Sequence, residues 1–527
     1  MSLVQVIDHA AMLPAYVAVV TAVAVLLADL LVARWGATVA TAAVGALATA
    51  GTAIWVGRGG DRATFCVETG CSYVFGDRAA LVALLFGLLT CGVLALSVPL
   101  LRDAAVPAGE YCFLLACSMT GGVLLGAAGD LITLIVALET LTLPIYVLVA
   151  SRRESRAGAE AALTFFVVSV VATAVTLLGA ALLYAATGAL HLTRLAEVFA
   201  ADGDDLTAVP LVPAAVALVL LGLAFKVAAV PMHAWAPKTY DGAPVPVAAY
   251  LSTASKLGGV VALLAVAGPA LGSVADSGVS AGSVLPAEVT GPVLAIVAVL
   301  TMTVGNLVAL RQRRMIRLLA WSSVAQAGYV LAPLGALALA AGRTPSAQAA
   351  AVGAALAYVV FFVLLELVVY ASVVALRPAG ADGGALDAYR GAGRRQPLIG
   401  AALVLGLVGL AGLPPGLAGL FAKVGVVRSL LAGEAAWLAL VVAVNAVIGL
   451  AYYLRVAALL YAPAEPGLDR TDADRADADR AGLAAGPAEV AGVRPSRVVL
   501  VALVVAVAVA VVAGFAPQLV FDATALR

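Results

Sequence analysis

Long apolar runs separated by short polar breaks fill the chain from end to end. Fourteen of them are long enough, at about 1.5 Å per helical residue, to cross a hydrocarbon layer. They cover approximately 10–33, 37–57, 79–101, 109–128, 130–150, 159–187, 209–232, 243–271, 289–310, 317–340, 347–376, 398–432, 435–462 and 497–517. A helix satisfies all its backbone groups within one segment, so the pattern predicts an all-α polytopic membrane protein. The runs most disturbed by polar residues lie between Val219 and Gly259. Two apolar stretches there flank a break holding Pro231, Pro237, Pro244 and Pro246, and each carries one lysine, Lys226 and Lys256.

Loop charge tests this segmentation. With an even number of spans, alternate loops share a side. The loops after the odd-numbered spans, with the adjoining span ends, hold twenty of the thirty Lys and Arg, among them Arg152, Arg314, Arg317, Arg390 and Arg394. The other side holds six, and Lys226, Lys256, Lys423 and Arg428 fall inside spans. Basic loops stay in the cytoplasm, so both termini are expected outside. Asp8 and no Lys or Arg precedes the first run, so that run is expected to stay as a span rather than leave as a signal peptide. Residues 464–494, including TDADRADADR, have too little apolar surface to fold alone and read as a flexible cytoplasmic loop.

A lysine at the centre of a bilayer costs about 2.5–3.5 kcal/mol on insertion scales, which marks Lys226, Lys256 and Lys423 for function unless they snorkel to the interface. Leu223–Val227 (LAFKV) is repeated as Leu420–Val424 (LFAKV), and both copies lie beside helix breakers, Pro231 in one and Pro414-Pro415-Gly416 in the other. Interrupted helices at matching places in two halves point to a transport site. Glu139, in the fifth run, either faces a polar cavity or caps a neighbouring helix, or it pairs with Lys226. Burial disfavours a charged amine and a nearby carboxylate restores it, so a pair that opens and closes binds and releases a proton. Asn306, Ser322, Ser323, Gln326 and Tyr329 offer polar positions between the lysines, although such residues also serve as plain interhelical contacts. Glu366 is a further buried acid with no assigned role. Arg428 reads as a snorkelling residue or an ion-pair partner, and Lys238 and Asp241 as solvated residues near the cytoplasmic surface.

Composition narrows the reading. The chain of 527 residues is 64% hydrophobic and 11% charged, well below the charge of a soluble domain. Net charge is zero, so nothing points to nucleic acid. Abundant Ala, Val and Leu with few Ile and Lys suggest a GC-rich bacterial genome. Three histidines and the lone pair Cys66/Cys71 do not make a metal site; that pair would form a local disulfide if its loop faced an oxidising space. Cys91, Cys112 and Cys117 read as small apolar residues. No phosphate-binding fingerprint is present, so the driving energy is expected from an ion gradient or from partners.

Three stretches carry a family resemblance: Lys226–Lys256 (KVAAVPMHAWAPKTYDGAPVPVAAYLSTASK), Gly305–Leu331 (GNLVALRQRRMIRLLAWSSVAQAGYVL) and Leu410–Val427 (LAGLPPGLAGLFAKVGVV). They resemble the antiporter-like membrane subunits of respiratory NADH–quinone oxidoreductase (complex I), a family shared with Mrp-type cation/proton antiporters, and within it the subunit-N branch. The resemblance implies about fourteen transmembrane helices with two inverted five-helix repeats and broken helices 7 and 12. It divides the chain into helices 1–3 (1–108), a first repeat (109–271), a second repeat (287–463), the loop 464–496, and helix 14 with the C-terminus (497–527); no long lateral helix is expected. By the same resemblance Glu139, Lys226, Lys256 and Lys423 are the proton-translocating residues. The implied activity is proton translocation across a bacterial inner membrane, driven by NADH oxidation and quinone reduction in other subunits. This chain would hold no cofactor, with NADH, flavin and iron–sulfur clusters on partner membrane-arm and redox subunits and quinone met only through the complex. The alternative is a subunit of a Mrp-type antiporter.

Overall fold

The computed structural model describes residues 7–152, 155–269, 283–376, 383–463 and 495–525. The first half contains α1 (Leu13–Val32), α2 (Trp35–Gly57), α3 (Asp77–Arg102), α4 (Ala108–Gly126), α5 (Leu131–Val149), α6 (Arg156–Thr187), α7 (Leu192–Ala208), α8 (Leu211–Lys226), α9 (Trp235–Gly242), α10 (Val245–Tyr250) and α11 (Lys256–Ala267). A π-helical turn, Leu251–Ser255, joins α10 to α11. The second half contains α12 (Ala287–Ala309), α13 (Met315–Leu331), α14 (Pro345–Leu376), α15 (Ala392–Arg395), α16 (Pro397–Ala411), α17 (Leu417–Ala432), α18 (Ala436–Tyr461), α19 (Arg497–Phe515) and α20 (Pro517–Thr524).

Among the described residues eleven helices are long and apolar enough to cross a membrane, or twelve if the bent pair α7–α8 counts as one span. The protein is therefore a multi-pass helical membrane protein. Its outer helices expose Leu30 (78%), Val447 (70%) and Phe515 (77%), a surface suited to lipid or to apolar neighbours. The continuous stretch Val245–Ala267 is wholly buried, and α14 nearly so. These two elements form the centre of the molecule. Against them pack α3, α4, α13, α16 and α17.

Three of the expected spans are interrupted. Window 209–232 stops being helical at Lys226, where Ala228 takes a positive φ of 57° and Pro231 follows. Window 317–340 passes at Ala332 into a 3-10 turn that ends at Ala338. Window 398–432 is two helices, α16 and α17, because Gly412 adopts a left-handed φ of 86° and Pro414-Pro415 cannot continue the hydrogen-bond ladder. Other ends are capped locally. Asp130 accepts hydrogen bonds from the Thr133 amide (2.7 Å) and hydroxyl (2.8 Å) at the start of α5.

One loop departs from the all-α expectation. Residues Arg62–Val67 (β1) and Gly70–Phe75 (β2) form an antiparallel hairpin in which Cys66 pairs with Cys71, and the two are disulfide-bonded. β-Branched and aromatic residues (Thr64, Phe65, Val67, Tyr73, Val74, Phe75) around a Gly-containing turn favour strands over a span-length helix here. The loop expected at 464–496 lies, from 464 to 494, outside the described residues.

Contacts between connecting segments sort into two groups. In one, Arg62 meets Asp8 (3.2 Å), Tyr73 bridges to Ala128, Asp130 bridges to His191, and Arg343 meets Glu288 (2.8 Å). In the other, Lys238 meets Glu160 (3.6 Å), Arg314 meets Asp241 (3.1 Å), and Arg314 bridges to Ala385. Asp241 is not the solvated residue expected from the sequence. Its side chain is 9% exposed and also accepts from Arg317 at 2.7 Å, which ties α9 in the first half to α13 in the second.

Candidate functional site

The interrupted helices bring the four candidate residues to two buried stations and one half-buried one. Lys226 is the last residue of α8, where unpaired carbonyls and the helix dipole favour a cation. Its ammonium donates to Glu139 Oε1 (2.9 Å), Thr142 Oγ1 (2.9 Å) and Ser169 Oγ (3.2 Å). Three donors thus meet three acceptors from α5 and α6. Glu139 Oε1 also accepts from Thr173 Oγ1 at 2.6 Å. The expected Lys226–Glu139 pair is therefore present and closed. The chain leaving α8 is held across the break: the Val230 amide donates to Thr301 on α12 (2.9 Å) and the Trp235 indole to the Phe225 carbonyl (3.2 Å). Exposed backbone in a membrane interior requires such partners.

Lys256 opens α11 directly after the π-helical turn, a feature that often marks functional sites. Its ammonium donates to the backbone carbonyl of Ser323 and to Ser323 Oγ (2.6 Å), and it lies 5.7 Å from the Phe362 ring centre. Ser252, inside the π turn, is 3.1 Å from Ser323 Oγ and 3.2 Å from Glu366 Oε2. Gly259, one turn further along α11, lets α8 approach closely. A Cβ there would lie 2.9 Å from the Lys226 backbone.

Lys423 on α17 reaches back across the break to the carbonyls that end α16, Leu410 (3.0 Å) and Ala411 (2.5 Å), and lies 5.1 Å from the Tyr329 ring centre. This is again a cation at a helix C-terminus. It is half-buried rather than enclosed.

The polar residues between the lysines are connected. Gln326 donates to the Leu410 carbonyl (3.1 Å) that Lys423 also uses, and to Tyr453 Oη (3.0 Å); it accepts from Tyr358 (2.5 Å). Tyr453 is hydrogen-bonded to Ser322, the neighbour of Ser323. Asn306 joins Tyr329 (3.0 Å), Tyr452 (3.1 Å) and Asn445 (3.2 Å). A file of polar groups runs from Lys256 to Lys423, with one step, between the sequence neighbours Ser323 and Ser322, that no side-chain hydrogen bond bridges among the described residues. Among the described residues no side-chain hydrogen bond joins the Lys226 cluster to Lys256. Arg428 is exposed and belongs to none of these clusters.

Sequence reasoning did not single out Thr142, Ser169, Thr173, Tyr358, Asn445 or Tyr453, and left Glu366 unassigned. Hydroxyls and amides facing inward from apolar helices were the available signal. Nothing in the sequence says which of them converge.

Comparison with known proteins places this geometry in context. Residues 128–449 match the family model described as NADH:quinone oxidoreductase/Mrp antiporter, TM. The chain is 68% identical over 531 residues to NADH-quinone oxidoreductase subunit N of Salinispora tropica, covering 100% of both chains. Among solved structures it resembles a chain of respiratory complex I from Thermus thermophilus with bound aureothin, at 28% identity and a TM-score of 0.74, covering 97% of this chain and 99% of that one. A chain of the Mrp complex from Dietzia is similar in fold alone, at 22% identity, a TM-score of 0.75, and 97% and 94% coverage.

Proposed function

The chain belongs to the NADH:quinone oxidoreductase/Mrp antiporter transmembrane family and is a membrane-arm subunit of an NADH-quinone oxidoreductase, and from that premise we propose that it moves protons through Glu139, Lys226, Lys256 and Lys423. The observation that carries the reading is the Lys226–Glu139 pair at the broken end of α8, 2.9 Å apart and embedded in hydroxyls. An ion pair in low dielectric holds its proton on the lysine while closed, and separation of the partners releases it. The polar file from Lys256 to Lys423 supports a route into the second half for a proton that reaches Lys256. Redox chemistry, with NADH, flavin, iron–sulfur clusters and quinone, takes place in partner subunits.

The architecture that goes with this function is fourteen spans, counting α8–α9, α10–α11, α13 with its 3-10 extension and α16–α17 as one each. Two inverted repeats occupy 109–271 and 287–463. Both termini lie outside. Three observations support this arrangement: basic residues concentrate after odd-numbered spans, inter-segment contacts join odd loops to odd and even to even, and the disulfide-bonded hairpin lies on the terminal side, where an oxidising space favours it. The fold likeness to the Mrp complex does not favour the antiporter reading, because the higher identities are to the respiratory enzyme.

Lys226→Ala tests the function. In membranes where the variant complex assembles, NADH-driven acidification should fall while NADH oxidation by the peripheral subunits continues. Wild-type acidification would remove Lys226 from the mechanism.

A further inference from the structure

Glu366 lies in the middle of α14, fully buried in an apolar run, FFVLLELVVY, with no part assigned to it above. An unpaired carboxylate there is costly, and such a group ordinarily neutralises or finds a cation. Its Oε2 is 3.2 Å from Ser252 Oγ, while Oε1 has no hydrogen-bond partner among the described residues. Ser252 Oγ is 3.1 Å from Ser323 Oγ, and Ser323 Oγ accepts from Lys256 at 2.6 Å. Tyr240, Tyr370 and Tyr453 are the other titratable side chains near enough to feel a charge on Glu366. Lys256 is the cation that interacts with it.

A hydroxyl donates one hydrogen bond and accepts up to two. The hydroxyl of Ser252 therefore cannot serve both Ser323 and Glu366 as donor. Two alignments satisfy these contacts, one for each protonation state of the pair. With both groups neutral the Glu366 acid donates to Ser252 and Ser252 donates to Ser323, the direction that the Ser252–Ser323 angles favour; with both charged, Lys256 donates to Ser323, Ser323 to Ser252, and Ser252 to Glu366. That is an aligned two-hydroxyl bridge between an ammonium and a carboxylate. Ser252 lies inside the π-helical turn and Lys256 directly after it, on one face of the helix, and the two side chains reach Glu366 on α14 and Ser323 on α13.

We propose that Glu366 is the proton-exchange partner of Lys256, joined to it through the hydroxyls of Ser323 and Ser252, so that this chain carries a second lysine–glutamate station. In the exchange Lys256 loses one N–H proton to Ser323 Oγ, Ser323 passes its own proton to Ser252 Oγ, and Ser252 passes its proton to Glu366 Oε2. The ammonium and carboxylate become a neutral amine and a carboxylic acid, and nothing is oxidised or reduced. The reverse transfer restores the ion pair. The station lies where α11, α13 and α14 meet, at the head of the polar file that leads to Lys423. Glu366 acts through Lys256 and is a positioning and exchange group for the reaction, not a residue that meets a substrate. The inference rests on the proton-translocating reading of this chain.

The test uses the assembled respiratory complex in membrane vesicles, with NADH-driven acidification measured per NADH oxidised. Glu366→Gln and Ser252→Ala should each lower that ratio by roughly threefold or more, and Glu366→Asp should restore at least half of it. Lys256→Met combined with Glu366→Gln should pump no worse than Lys256→Met alone, because partners in one exchange are not additive. Wild-type ratios in Glu366→Gln, or multiplying losses in the double variant, would overturn the proposal. If Glu366→Gln fails to assemble, the Ser252→Ala ratio decides, since that change keeps both charges; a wild-type ratio then rejects the bridge. A parallel Lys226→Ala arm separates the two readings. Loss of pumping there with none in Glu366→Gln or Ser252→Ala rejects Glu366 alone, and no loss in any arm rejects the translocation reading itself.

Discussion

Lys226 and Glu139 stand 2.9 Å apart at unequal depth, the lysine 5% exposed and the glutamate side chain 22%. The lysine is held by Glu139, Thr142 and Ser169, and the more exposed carboxylate by Lys226 and Thr173. Glu139→Gln keeps the shape and removes the charge. It should lower NADH-driven acidification by roughly 100-fold or more, the range of a lost acid–base partner, while Glu139→Asp retains a larger share. Acidification of vesicles carrying each variant, normalised to NADH oxidation, checks both.

Gly412 serves Lys423 twice. Its φ of 86° turns the chain out of α16, and a Cβ at this position would lie 2.8 Å from Lys423 Cδ. Gly412→Ala should destabilise the fold by about 1–3 kcal/mol, the cost of a strained backbone position, and displace Lys423 from the Leu410 and Ala411 carbonyls. Gly36 has open space where its Cβ would be, so Gly36→Ala is the control. Thermal unfolding of the detergent-extracted complex should separate the two.

Tyr453 links Ser322 to Gln326, and through Gln326 to the Leu410 carbonyl below Lys423. Tyr453→Phe removes the hydroxyl and leaves Ser322 and Gln326 each one partner short in a buried site, a loss of about 1–3 kcal/mol for each unsatisfied group. Assembly should survive and acidification should fall several-fold. Unchanged acidification would show that protons do not use this link.

Asp241 accepts from Arg314 (3.1 Å) and Arg317 (2.7 Å) and so fastens α9 to α13. Both arginines are partly exposed, at 37% and 50%, so their share of the energy is screened by salt. Asp241→Asn should lower the melting temperature of the complex most at low ionic strength. An equal shift at all salt concentrations would mean that the clamp is not electrostatic.

The sequence made some of these relationships legible and hid others for identifiable reasons. Glu139 and Lys226 could be paired because each is the sole charged residue near the middle of an apolar run, and two such charges seek each other. The breaks near Lys226 and Lys423 were visible in Pro231 and Pro414-Pro415. Glu366 was visible as a buried acid, but its partner was not. The stretch Val245–Ala267 is wholly buried, so periodicity carries no information about where Lys256 points. The π turn that precedes it leaves no mark in the pattern. The Asp241 clamp was missed because residues in a polar break read as solvated until a second loop folds over them. The hairpin was missed because six-residue strands between spans are too short to stand out against long helices.

The side on which that hairpin lies can be measured. After reduction of Cys66–Cys71, a membrane-impermeant maleimide should label these cysteines in spheroplasts and leave them unlabelled in inverted vesicles. The opposite pattern would reverse the orientation of every loop.

The most direct measurement is the number of protons translocated per NADH by the complex reconstituted in liposomes, with Lys226→Ala, Lys423→Ala and the double variant compared with wild type. Stations along one route give a reduced ratio in each single variant and little further loss in the double. A double variant that assembles and still translocates protons at the wild-type ratio would contradict any role for these buried amines in proton movement.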